Sequence, residues 1–165
     1  MAATLTVSNP ELVGGPVMAT TKKLILNGES WKQGEFLNID ASALLKECAT
    51  DDDAGTGGIK YFALTSQDDP GNSTTLSGDI GVIVADHIFE GNELDGTVAD
   101  SNIGEQHGID VSSNVVTIDV GDVTNPAVTV TDIGPRFSPV EYKSDDIKAK
   151  LRFQILTTNL EATPA

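Results

Sequence analysis

The sequence predicts an all-β protein, a small antiparallel β-barrel or sandwich with an extended N-terminal arm. Three observations predict it. Apolar residues come in short runs of about 5–7 residues at a spacing near ten, the interval of strands joined by turns. Turn formers, among them 16 Gly and 7 Pro, fall between the runs. No segment of normal helical length carries a convincing 3.6-residue apolar stripe, whereas β-branched residues, 17 of them Thr, suit pleated half-buried surfaces.

Residues 1–21 hold Pro10, Gly14, Gly15 and Pro16 among the scattered aliphatics Leu5, Val7, Leu12, Val13 and Val17, and read as an extended arm. The β-rich body is expected over residues 22–160, with a short tail at 161–165. Lys22 to Leu26 is a first short run, closed by the turn signal Asn27-Gly28. Glu35 to Ile39 is the second. Asp40 to Cys48 fits either a short helix with Asp40 as its N-cap or a hairpin corner. Asp51 to Gly58 reads as a loop. Ile59 to Thr65 alternates as a strand, and Gln67 to Thr75 is a long loop tip.

Asp79 to Phe89 is apolar on both faces, as in a central strand or barrel wall, with His87 inside it and Gly81 marking a bend or bulge. After the loop 90–104 come three short runs: Gln106 to Val111, Asn114 to Val120 and Ala127 to Ile133. Ser112-Ser113-Asn114 joins the first two as a tight turn. Ile147 to Leu156 closes the series. Ile147, Ala149, Leu151, Phe153 and Ile155 take one face, and Lys148, Lys150 and Arg152 lie on the other. A weak echo places a Gly before a strand in both 31–37 and 102–109, as a duplicated strand–turn–strand unit would.

The formal net charge of −15 is uneven. Residues 61–135 carry thirteen acids and no Lys or Arg, while residues 136–165 are slightly positive through Arg136, Lys143, Lys148, Lys150 and Arg152. Such a balance argues against nucleic acid or an anionic membrane as partner, since both are bound mainly by cationic neutralisation. It leaves two readings, a solvated acidic surface or a two-sided molecule with a basic docking strand.

No stretch approaches the roughly 20 apolar residues of a spanning helix. Met1 to Pro16 lacks a basic region followed by an apolar one, so no signal peptide is expected. Cys48 is alone, which leaves no internal disulfide or CxxC motif.

Catalytic motifs are thin. The run Asp51-Asp52-Asp53 invites a cation, but an EF-hand starting there would need Gly and Glu where Thr56 and Phe62 stand. His87 and His107 are the only histidines, and no Gly-x-Ser-x-Gly elbow accompanies them. Gly55-Thr56-Gly57-Gly58 lacks the Lys-Ser/Thr of a phosphate loop. No catalytic, cofactor or metal residue is therefore assigned. Trp31, Arg136 and Phe137 are candidate contact anchors, because Trp, Arg and Phe are enriched in interface cores; Trp31 and Phe137 serve equally as plugs of the body's ends.

Several segments together carry a resemblance: Gly34-Glu35-Phe36-Leu37, Asp53 to Leu64, Phe89-Glu90-Gly91-Asn92-Glu93-Leu94-Asp95-Gly96, and Ile109-Asp110-Val111 followed by Asn114 to Asp122. Over roughly residues 22–160 the chain resembles the decoration, or cement, proteins that coat tailed-phage capsids. The resemblance implies a β-rich, non-catalytic virion module. Such a module binds major capsid protein on the outside of the head, commonly as a homotrimer, and stabilises the shell. The contact residues expected on this reading are Leu5, Val7, Leu12, Val13, Trp31, Arg136, Phe137, Lys148, Lys150 and Arg152. Two other readings stay open: a surface-displayed β module that binds glycan or protein on a host, and a hydrolase using paired carboxylates.

Overall fold

The computed structural model describes residues 3–50 and 58–156. Eleven strands run in chain order: β1 (Glu11–Gly14), β2 (Thr20–Thr21), β3 (Phe36–Ile39), β4 (Leu45–Glu47), β5 (Tyr61–Phe62), β6 (Ile80–Val82), β7 (Ile88–Asn92), β8 (Gln106–Ser112), β9 (Val115–Asp119), β10 (Val128–Ile133) and β11 (Lys150–Ile155). One helical turn, α1 (Gly134–Phe137), follows β10. The strands form two antiparallel sheets, ordered β1-β7-β11-β10-β8-β9 and β2-β6-β5-β3-β4. Of the two architectures expected, two facing sheets form. Each is an open ladder, and isolated single-residue bridges, Glu93 to Ile118 and Ile25 to Leu45, tie further segments to β9 and β4.

The smaller sheet has apolar residues on both faces, and its middle strands β3 and β5 are almost wholly buried. Phe36 of β3 and Phe62 of β5 turn toward the larger sheet and join Phe89, Ile109, Val128, Leu151 and Phe153 in the main core. The next residues along, Leu37 and Tyr61, point the opposite way, as neighbours on a strand must. They pack with Ile25, Trp31, Leu45 and Ile80 in a second core. Four phenylalanines tie the sheets together: Phe89 meets Phe36 edge-on at 5.2 Å and Phe62 at 5.1 Å, and Phe36 meets Phe153 at 6.1 Å.

Local chemistry sets the connections. The β8–β9 hairpin turns on Ser113 and Asn114, both left-handed at φ 52° and 62°, the requirement of a two-residue turn matched to strand twist. β11 alternates as its sequence does, with Leu151, Phe153 and Ile155 buried; Ile147, expected on that inner face, is 36 % exposed and lies outside the strand.

Of the two readings open for Asp40 to Cys48, the hairpin corner forms: Asp40 Oδ1 accepts the N–H groups of Ser42 and Leu44, and Ala43 takes φ 61°. One expectation is corrected. Asp79 to Phe89 is not one strand. β6 ends at Val82 and β7 starts at Ile88, with a turn between them in which His87 sits. Gly81 stays inside β6, where Met18 crosses it so closely that a Cβ would collide with the thioether. The acidic run 51–53, the Gly-rich stretch 55–57 and the tail 161–165 lie outside the described residues.

Candidate functional site

The arm is extended, and it is laid along its own body. Thr4 bridges Ile147, and Leu5 N–H donates to the Ile147 carbonyl at 2.9 Å. Ser8 N–H donates to Asn92 Oδ1, and Lys150 Nζ donates to Ser8 Oγ. Pro10 is buried over Gly91. β1 then pairs with β7 and forms the outer edge of the larger sheet. Leu12 and Val13 on β1 and Val17 past it turn to solvent, Val17 almost wholly, and Val84 is exposed in the turn that follows β6. A groove of about 480 Å³ runs beside β1, lined by Pro10, Leu12, Gly34, Phe62 and Leu64.

The expected contact residues divide. Leu12 and Val13 are available on the edge, and Leu5 and Val7 are half-buried. Trp31 is 3 % exposed and belongs to the second core, so in this fold it serves packing. Arg152 is engaged on its own sheet: Nε donates to Glu90 Oε1 at 3.2 Å, and the guanidinium lies 4.2 Å from the centre of the Phe137 ring. Arg136 is exposed and bonds Asp132 one helical turn back. Lys148 takes φ 60°, outside β11, at the rim of a small apolar slot with Val7, Leu94 and Val115. The alternation that put Lys148, Lys150 and Arg152 on one face therefore does not make a uniform basic stripe.

The arm is anchored at a polar junction that sequence inspection missed. Asn9 Oδ1 accepts Val116 N–H, and its Nδ2 donates to the carbonyls of Asn114 and Gln33. Asn114 Nδ2 in turn reaches Glu35 Oε2 and Glu47 Oε1, both at 3.3 Å. Glu35 is wholly buried, and Lys32 N–H donates to its Oε2. Burial, and then the neighbouring Glu35 carboxyl, push the Glu47 carboxyl up to about 8, against the opposing Asn114 amide. A groove of about 430 Å³ opens beside it, lined by Glu29, Glu47, Thr50, Val111 and Asn114. Arm, hairpin turn and smaller sheet thus meet at two carboxyl groups. No local pattern signals this, because the partners are far apart in the chain.

His87 anchors the other end of the arm. Its Nδ1 accepts Val84 N–H at 2.9 Å, and Nε2 lies 3.1 Å from the Pro16 carbonyl, the pattern of a neutral ring protonated at Nε2. Burial lowers its pKa, opposed by the Pro16 carbonyl and Asp86. A depressed base stabilises the fold above its ordinary pKa of 6.5, and that contribution is lost as pH falls through the lowered value. Acidification from pH 7 to 5 is expected to lower the thermal midpoint and loosen residues 15–17. In His87→Gln the midpoint should change less over that range; equal pH dependence in both proteins would refute the assignment. Both ring nitrogens of His87 are occupied by backbone, and His107 is buried beside Glu105. Among the described residues no group of three or more His, Cys, Asp or Glu is placed to hold a metal ion, and no helix is long and apolar enough to cross a membrane.

No family model, curated protein or solved structure matches this chain.

Proposed function

We propose that the protein is a structural virion component that decorates the outer surface of a tailed-phage capsid and stabilises the shell by clamping neighbouring major capsid subunits. The resemblance of its strand-and-turn segments supplies the class. The observation that carries the mechanism is the arm: an extended segment ending in an edge strand, with Leu12, Val13 and Val17 exposed and Leu12 bordering a groove of mixed polar and apolar lining. An open edge gives a partner strand a row of backbone donors and acceptors, and exposed side chains beside it give specificity. As a homotrimer, the protein would grip the shell at three such edges, so modest single contacts would add up to firm attachment.

Co-sedimentation with purified heads, together with electron micrographs showing regular protrusions, tests the class. The arm is tested by Leu12→Asp combined with Val13→Asp, both on exposed positions. The double variant should fold normally and lose at least about tenfold in capsid occupancy. Unchanged occupancy would overturn the role of the arm, and absence of the native protein from particles would overturn the class.

A further inference from the structure

We propose that the Glu35–Glu47 carboxyl pair is a proton-dependent latch: one shared proton holds the β8–β9 turn, and through it the arm at Asn9, against the smaller sheet, and loss of that proton loosens the junction. The geometry calls for a proton. Glu35 Oε1 is buried and receives no donor among the described residues, while one amide nitrogen, Asn114 Nδ2, stands 3.3 Å from both Glu35 Oε2 and Glu47 Oε1 and so holds the two carboxyl groups side by side. Two ionised carboxylates are acceptors only, so no bond can form between them until one carries a proton. With it, a bond within the pair becomes possible, while Lys32 N–H and the Asn114 amide serve Glu35 Oε2 and Glu47 Oε1. Without it, two like charges share a site with a single neutral amide between them.

The surroundings supply little relief. On the loop before β3, Glu29 adds a third carboxylate, its Oε2 accepting Glu47 N–H at 3.0 Å. Lys32 contributes a backbone N–H, and its side chain forms no ion pair with either acid; nor does that of Lys46 on β4. Asp110 on β8 is bound to Ser112 and Thr50. The arm contributes neutral Asn9. A proton is therefore the ligand that relieves the like-charge repulsion within the pair.

The direction of the effect follows. A carboxyl whose folded pKa is raised stabilises the fold fully below its ordinary 4.5, and that contribution is lost as pH rises through about 8. Only the consequence for shell binding rests on the decoration reading; the chemistry concerns the isolated protein, so its test succeeds or fails without a capsid.

The experiment follows elastase cleavage of the arm in the intact chain between pH 6 and 9.5, normalised to an unfolded peptide of the same arm sequence. The native rate should rise at least about tenfold, and Glu47→Gln and Glu35→Gln, which hold the pair at no more than the single negative charge of its one-proton form, should rise less than about twofold. Parallel increases in native and variant proteins, or a flat native profile, would overturn the latch. Should both variants fail to fold, carbon-13 NMR of the native side chains decides. A Glu47 carboxyl titrating near 8 supports the latch, and one titrating near 4.5 overturns it.

Discussion

Replacing Phe89 by alanine is expected to remove about 3–5 kcal/mol of folding stability, the usual cost of deleting a buried phenylalanine. Phe89 is fully buried on β7 and touches rings from both sheets: Phe36 at 5.2 Å, Phe62 at 5.1 Å and Phe153 at 6.0 Å between centroids. Truncation removes the transfer free energy of the ring and leaves a cavity between sheets whose backbones are fixed by their own ladders, so collapse is restricted. Urea unfolding of the purified protein measures it. Phe89→Leu should cost less than about 1.5 kcal/mol, because the volume is nearly kept. If Phe89→Ala cost no more than Phe89→Leu, the shared core would not be what joins the sheets.

Gly34→Ala should be a damaging single methyl addition at the seat of the arm. Gly34 takes φ +90°, and an added Cβ would stand 2.8 Å from Asn9 Cβ and 2.9 Å from the Pro10 carbonyl. The backbone conformation alone costs an L-residue about 1–2 kcal/mol, and the arm must also lift from its seat. Gly28 is the control: it has φ +93° and nothing within 4 Å of its Cβ position. Gly28→Ala should pay the conformational cost only. Gly34→Ala should exceed it by at least about 1 kcal/mol and make the arm sensitive to elastase. Equal losses, with the arm equally protected in both, would show that the arm does not depend on this close approach.

Strands whose apolar residues alternate cleanly were legible in the sequence. Leu151, Phe153 and Ile155 point inward as read, and Ser113-Asn114 turns as read. The reading left open at Asp40 and the misreading of 79–89 share a cause. Asp40 satisfies amides two and four residues onward in a hairpin corner with the same oxygen that would cap a helix, so composition did not separate the two. The segment Asp79 to Phe89 carries apolar residues on both faces, yet a bond from Val84 N–H to the His87 ring closes a turn inside it. The junction was invisible for a different reason. Glu35, Glu47, Asn9 and Asn114 come from four segments, and only the register of two sheets brings them together. Exposed arm residues could be guessed from composition; the seat of the arm could not.

The bridge between Thr4 and Ile147 has a consequence for biosynthesis. A ribosome adds about 5–20 residues per second, so residue 147 emerges roughly 7–30 s after residue 4. β11, which completes the seat through Lys150 and Ser8, follows it. The earliest part of the arm to be synthesised is thus among the last to be placed. Nascent chains on neighbouring ribosomes would present unseated arms to one another throughout that interval.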